Sequence, residues 1–205
     1  MAVSPSTGPE LILASGSRTR AQLLAAAGLR FATLVSAVDE DEIKHSLRAE
    51  GADAATAADA LAFAKARRVS AGHPGAFVVG ADQILDCAGV WFDKPPDIAH
   101  ARGHLMALRG RTHVLATAVC VVCDGQRLWH GRAMPRLTMR SFGDGFLDRY
   151  LAAEGDLLLG SVGAYRLEGL GVQLFQAIEG DHFSILGLPL LPLLDFLRQH
   201  GIVER

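Results

Sequence analysis

The sequence carries no excess of charge of either sign: 20 Lys and Arg against 22 Asp and Glu leave a net charge of −2 over 205 residues. No global field therefore draws in nucleic acid or an anionic membrane surface, and a polyanionic ligand has to be held by a local group of basic side chains. A basic stripe interleaved with aromatics is also missing, so a nucleic-acid partner is not expected. No uncharged apolar run reaches about 18 residues, which excludes a hydrophobic spanning helix and a membrane partner. The opening residues lack both the basic and the apolar regions of a signal peptide. Cysteine is scarce, at three residues, and fits free thiols in a reducing compartment; the expected location is cytoplasmic. Cys120 and Cys123 form a C-x-x-C, but inside a strand-like run, where positions three apart face opposite sides of a sheet. Without a second ligand pair, core packing is the expected role.

The apolar and charged fractions, 50% and 20%, are those of a chain that closes a core. No repeat or low-complexity block divides it. Residues 1–10 are expected to be flexible and residues 11–205 to form a single catalytic domain. A short apolar strand over residues 11–15 leads into Ser-Gly-Ser and a helix over about residues 19–27, stopped by Gly28. A second helix over about residues 55–71 precedes an apolar run, residues 76–81, typical of a strand covered on both faces. Asp97 is placed to cap a helix reaching Leu108. Residues 112–123 and 126–140 read as two strands joined at Asp124-Gly125, a strong hairpin signal. A helix over about residues 145–153, a strand over residues 172–178 and a final helix with Pro189 at its first position complete the chain. The predicted class is α/β, with a mixed sheet flanked by helices and at least one antiparallel hairpin.

Several side chains stand out chemically. S-G-S-R-T-R joins a buried strand to a helix N-terminus, where free backbone N–H groups, the helix dipole and the guanidinium groups of Arg18 and Arg20 suit a phosphate; an ordinary serine cap followed by solvated arginines fits equally well. Lys65 falls within the helical stripe of Ala58, Leu61, Ala62 and Val69, so its ammonium must either snorkel out or meet an anion. Asp82 follows the apolar run at the expected carboxyl end of a central strand, where open α/β sheets place ligand-binding groups; a turn-forming Asp is the alternative. Lys94 is held by the rigid Pro95-Pro96 pair, or is simply solvated. The acidic run Asp39 to Glu42 reads as a solvated loop or as a Mg²⁺ site, which needs only one or two carboxylates beside substrate phosphates. His100 and His104, four apart on a helix, could share a metal, but solvent exposure is the expected state. A phosphate loop, two unusually placed lysines and carboxylates together suit metal-assisted attack of water on a polyphosphate.

The chain also resembles a known family. L-I-L-A-S-G-S-R-T-R is similar to the opening of the Maf nucleotide pyrophosphatases, once described as septum-formation inhibitors. V-D-E at residues 38–40, A-K-A around Lys65, G-A-D-Q at 80–83, D-K-P at 93–95 and L-R-G-R-T-H at 108–113 follow in family order, as do G-A-Y-R-L-E-G at 163–169, I-E-G-D-H-F at 178–183 and G-L-P-L at 187–190. The resemblance implies a Maf/ITPase-like mixed α/β fold with two lobes around a cleft, a divalent cation (Mg²⁺ or Mn²⁺) and a homodimer. The implied reaction is hydrolysis of a nucleoside triphosphate to monophosphate and pyrophosphate. Carried over by position, Asp82 is the general base and a metal ligand, and Glu40 holds the metal. Arg20, Lys65 and Lys94 bind the triphosphate and offset transition-state charge, while Ser15 and Ser17 add loop contacts. Thr19, Gln83 and Glu168 occupy the positions that separate the family's branches by nucleobase. Gln83 and Glu168 match the 7-methyl-GTP branch, and a carboxylate accepts well from a guanine edge; Thr19 matches neither that branch nor the dTTP/UTP branch. A dTTP/UTP-preferring enzyme and a non-catalytic nucleotide-binding regulator of cell division are the alternatives.

Overall fold

The structure is a computed structural model that describes residues 10–204. The flexible segment expected at residues 1–10 lies outside the described residues, apart from Glu10. In chain order the elements are β1 (Leu11–Leu13), α1 (Arg18–Ala26), β2 (Ala32–Thr33), α2 (Glu40–Ala49), α3 (Ala54–Ser70), β3 (Phe77–Cys87), β4 (Val90–Phe92), α4 (Ile98–Leu108), β5 (Thr112–Cys123), β6 (Gln126–Ala133), β7 (Arg136–Met139), α5 (Asp144–Glu154), β8 (Phe175–Glu179), α6 (His182–Ile185) and α7 (Leu190–Gln199). The strands join in one mixed sheet in the order β2-β1-β3-β5-β7-β8, with β4 added to β3 and β6 to β5. β1 runs parallel to β2 and β3, and every other pairing is antiparallel.

The long strands β3 and β5 pair from Val78↔Val122 to Asp86↔Val114 and form the spine of the molecule. Apolar residues collect at three places along them. One cluster lies between α3 and one sheet face, and includes Val78, Ile84, Ala118 and Cys120. A second lies on the opposite face under α1 and α7, and includes Val79, Ala81, Val119 and Leu193. The third, around the far end of β3 with α4, α5, β7 and β8, builds the second lobe.

The edge of β3 opposite β5 explains where the cleft opens. β1 covers it from Phe77 to Val79 and β4 covers it from Leu85 to Cys87. Between those two partners the strand has a window with no paired strand on that side. Asp82 sits in this window, which corrects its expected position at a strand tip. β3 does not stop at Ala81, because β5 continues to pair with it on the other edge.

Other expectations are adjusted for equally local reasons. Asp39 to Glu42 is the start of a helix and not a solvated loop: Asp39 caps α2 by accepting from the Glu42 amide at 3.0 Å, and three acidic residues in the first turn complement the dipole. The run 126–140 is two strands, because Pro135 lies between β6 and β7 and cannot donate to a ladder. Residues 170–174 form a 3-10 turn, so the last strand begins at Phe175. Pro189 is the cap of α7 and not its first residue. The Asp124-Gly125 hairpin is present, with both residues at positive φ. Cys87, Cys120 and Cys123 are free thiols, and Cys120 is buried while Cys123 is half-buried. His100 is exposed as expected, but His104 packs edge-on against Phe92 at 5.1 Å and is half-buried. No described helix is long and apolar enough to cross a membrane.

Candidate active site

A cleft of about 1280 Å³ lies beside the window in β3 and gathers Ser15, Ser17, Thr19, Arg20, Glu40, Lys65, Asp82, Gln83, Lys94 and Glu168 on its walls. Every site residue expected from sequence is therefore at one cavity. Its volume exceeds that of a typical small-molecule pocket of about 300–1,000 Å³.

The centre is a three-residue ion cluster, buried at Lys65 and Asp82. Lys65 Nζ lies 2.6 Å from Asp82 Oδ1 and 2.8 Å from Glu40 Oε1. Of the two outcomes open to Lys65 the anion is the one realised, and it is a pair of carboxylates within the protein. Close approach of α3 to the sheet makes the contact possible. α3 turns Ala57, Ala58, Ala62 and Ala66 inward, and Gly80 lies beneath them. A Cβ at Gly80 would overlap the Ala62 carbonyl oxygen and sit 2.8 Å from the Ala66 Cβ. With period-two alternation, Gly80 and Asp82 share a face, so the strand that lets α3 in also aims the aspartate at Lys65. Lys65 and Asp82 are both nearly closed to solvent, while the side chain of Glu40 is 43% exposed, which leaves the cluster open on the cleft side.

The loop after β1 forms the next wall. Ser17 caps α1, its Oγ accepting from the Arg20 amide at 3.3 Å, and the Ser15 Oγ accepts from the Ser17 amide at 3.2 Å. Arg20 donates through Nε to the Gly187 carbonyl at 2.7 Å, and through Nη1 to the Ser15 Oγ at 3.2 Å and the Ala81 carbonyl at 2.9 Å. The Ala81 carbonyl is the acceptor left without a strand where β1 ends. The guanidinium therefore closes the gap in the sheet edge, while its Nη2 makes no hydrogen bond to the described residues. Burial lowers the pKa of Arg20, against the pull of Asp82 and Glu40. Desolvation also lowers that of Lys94, with the positive charges of Arg20 and Lys65 adding to the effect. Arg20, Lys65 and Lys94 thus place three cations on the walls of one cleft.

Gln83 points to the opposite sheet face from Asp82. Its Nε2 donates to Thr117 Oγ1 at 2.8 Å and to the Ser184 and Ile185 carbonyls at 3.1 and 3.2 Å, an orientation that leaves the amide oxygen as the free acceptor. Glu168 lies across the cleft, 3.5 Å from the Nε of Arg166, whose Nη1 is held at 3.0 Å by the buried Glu154. Glu154 also accepts from the Leu170 amide at 2.8 Å, so one buried carboxylate organises the loop that carries Glu168. Sequence reasoning did not find Arg166, Glu154 or Thr117. It also missed Lys44, whose ammonium lies 2.6 Å from Asp93; its spacing of four from Glu40 was the available signal once α2 is read as a helix.

Among the described residues no group of three His, Cys, Asp or Glu is arranged to hold a metal by itself. The two carboxylates that meet at Lys65 are nevertheless hard oxygen donors of the kind Mg²⁺ uses when phosphates and water supply its other ligands.

A family model described as Maf-like protein matches residues 10–200. Proteins named nucleoside triphosphate pyrophosphatase are 57% identical to this chain in Granulibacter bethesdensis (93% of this chain, 97% of the relative) and in Paramagnetospirillum magneticum (93% and 98%). The one from Rhodospirillum rubrum is also 57% identical, over 95% and 96% of the two chains. A family match over nearly the whole described chain, joined to relatives of this identity, places the protein in the Maf family.

Proposed function

We propose that this chain hydrolyses nucleoside triphosphates to the monophosphate and pyrophosphate, in the cleft beside Asp82. The observation that carries the reading is the convergence of Asp82 and Glu40 on the buried Lys65 at 2.6 and 2.8 Å, next to the cationic wall of Arg20 and Lys94. The relatives' name, nucleoside triphosphate pyrophosphatase, supports it.

In this reading the triphosphate lies along the loop from Ser15 to Arg20, where the N-terminus of α1 and the free Nη2 of Arg20 face it. Lys65 spends two of its three N–H donors on carboxylates and keeps one for a phosphoryl oxygen. Asp82 takes the proton of a water that attacks the α-phosphorus. The bond between that phosphorus and its bridging oxygen breaks, and the pyrophosphate leaves with the electron pair. Lys94 and Arg20 offset the negative charge that builds on the departing oxygens. Glu40 and Asp82 would hold a divalent cation, Mg²⁺ or Mn²⁺, which supplies charge neutralisation and water activation when bound.

The base pocket favours a purine with donors on its edge. The Gln83 amide oxygen and the Glu168 carboxylate are both acceptors, suited to guanine N1–H and N2–H₂ and poorly matched to uracil or thymine, which offer one N–H between two carbonyls. A cationic base such as 7-methylguanine gains further from the negative charge of Glu168. The same reading carries a cytoplasmic homodimer without nucleic-acid or membrane partners.

The test is a panel of normal and methylated triphosphates with Mg²⁺ or Mn²⁺, with pyrophosphate and orthophosphate measured separately. Pyrophosphate from guanine-type substrates at the highest kcat/KM is expected. Stepwise orthophosphate release would overturn the reaction, and a pyrimidine ranking first would overturn the base assignment.

A further inference from the structure

Helix α2 presents Glu40 to the cluster but buries none of its own residues. A ten-residue helix is marginal on its own in water, so what holds it decides where Glu40 stands. Its apolar anchors are only Ile43 and Leu47, both partly buried. Its polar anchors follow a spacing of four along one face: Glu40, Lys44 and Arg48. Glu40 meets Lys65. Lys44 Nζ lies 2.6 Å from Asp93 Oδ1, with the lysine side chain only 17% exposed. Arg48 lies 4.0 Å from the other oxygen of Asp93 and stacks over Trp91 at 4.7 Å.

Asp93 is a well-chosen anchor point. It directly follows β4, which is hydrogen-bonded to the far half of β3, and it precedes Lys94 and the buried Pro95. The Lys44–Asp93 pair therefore ties the helix bearing Glu40 to the turn bearing Lys94, and both to the strand bearing Asp82.

We propose that Lys44 and Asp93 are positioning residues, a latch that sets Glu40 and Lys94 at the cleft through their mutual ion pair. Both residues also line the cleft, and the role assigned to Lys44 is to act through Asp93. The direction of its titration agrees: burial works to lower its pKa, but the hydrogen bond and charge of Asp93, joined by the charges of Asp82 and Glu40, raise it overall. The effect on turnover rests on the pyrophosphatase reading, but the effect on α2 does not.

The experiment compares Lys44→Met, Asp93→Asn, Lys44→Arg and the charge-reversed Lys44→Asp/Asp93→Lys. Amide hydrogen exchange is measured on nucleotide-free protein, and kcat, KM and the Mg²⁺ concentration for half-maximal rate on substrate. Lys44→Met and Asp93→Asn are expected to speed exchange across residues 40–49 while β3 stays protected. They should also lower kcat by about 10–10²-fold, as for a misplaced catalytic group, and raise the Mg²⁺ requirement more than KM. Lys44→Arg and the reversed pair should recover protection and part of the rate. Unchanged exchange in α2 on removing either charge would overturn the latch. So would faster exchange with kcat and Mg²⁺ requirement intact, or equal losses in Lys44→Arg and Lys44→Met. If no triphosphate is turned over by the unaltered protein, the exchange pattern still decides the latch, and the pyrophosphatase reading alone fails.

Discussion

Replacing Gly80 with alanine adds one methyl group at the point where α3 lies closest to the sheet. The new Cβ would overlap the Ala62 carbonyl oxygen and lie 2.8 Å from the Ala66 Cβ, with the Ala66 amide at 3.0 Å. Two of these neighbours are helix backbone, which cannot rotate away as a flexible side chain could, so α3 has to lift. Overpacking of this kind costs about 1–3 kcal/mol, which lowers the melting temperature of a chain this size by about 2–12 °C. Lys65 lies one turn beyond Ala62 on the same helix, so the lift also lengthens its 2.6 Å contact with Asp82. A displacement approaching 1 Å at a positioned group reduces turnover by up to about 10²-fold. The control is Gly103→Ala in α4, where a Cβ meets nothing within 4 Å; it should stabilise by about 0.5–1 kcal/mol through helix propensity alone. Thermal melts and kcat on the best substrate read both. Gly80→Ala with the melting temperature and rate of the parent protein would refute the claim that close α3 packing sets the Lys65–Asp82 geometry.

The remaining predictions concern the site and its support. Asp82→Asn should keep nucleotide binding, measured by calorimetry, and lose about 10²–10⁴ in kcat, the usual contribution of a positioned base; nearly full activity would require another base. Glu168→Gln should narrow the preference for guanine-type over pyrimidine triphosphates by roughly tenfold or more in kcat/KM, since hydrogen bonds to a charged acceptor are worth about 1.5–3 kcal/mol; an unaltered ranking would remove Glu168 from base recognition. His113 is buried, accepts or donates at Nε2 with the Tyr165 hydroxyl at 2.9 Å, and has its pKa pushed down by burial to about 4 from an ordinary 6.5. Its folded value lies below its unfolded one, so the unfolded chain binds the proton first. Stability should therefore fall as pH drops from 6.5 towards 4, by up to about 3 kcal/mol, and be unaffected by this group above 6.5. Urea melts of the parent and His113→Gln across that window should differ in slope; parallel curves would refute it.

Much of the site was legible because its chemistry conflicts with its local pattern. Lys65 inside an apolar stripe had either to snorkel out or to meet an anion, and the structure realises the second with Asp82 and Glu40. Gly28, Asp97 and Asp124-Gly125 marked a helix stop, a cap and a hairpin correctly, because each depends on backbone geometry set by one or two residues. What stayed hidden depends on distant neighbours. α2 was concealed by its own acidic first turn, which looks like a solvated loop until Ile43 and Leu47 are seen to rest on the core. Asp82 looked like a strand tip because the run of apolar residues ends there, whereas the strand itself continues on pairings with β5 and β4. Arg20 could be assigned to the phosphate loop from sequence, but its second task, satisfying the Ala81 carbonyl where β1 stops, required the sheet order.

The central claim is that water, primed by Asp82, attacks the α-phosphorus of a triphosphate held in this cleft. Hydrolysis in ¹⁸O-labelled water followed by mass spectrometry of the products tests it most directly. The account predicts one labelled oxygen in the nucleoside monophosphate and none in the pyrophosphate; label in pyrophosphate or orthophosphate would contradict it.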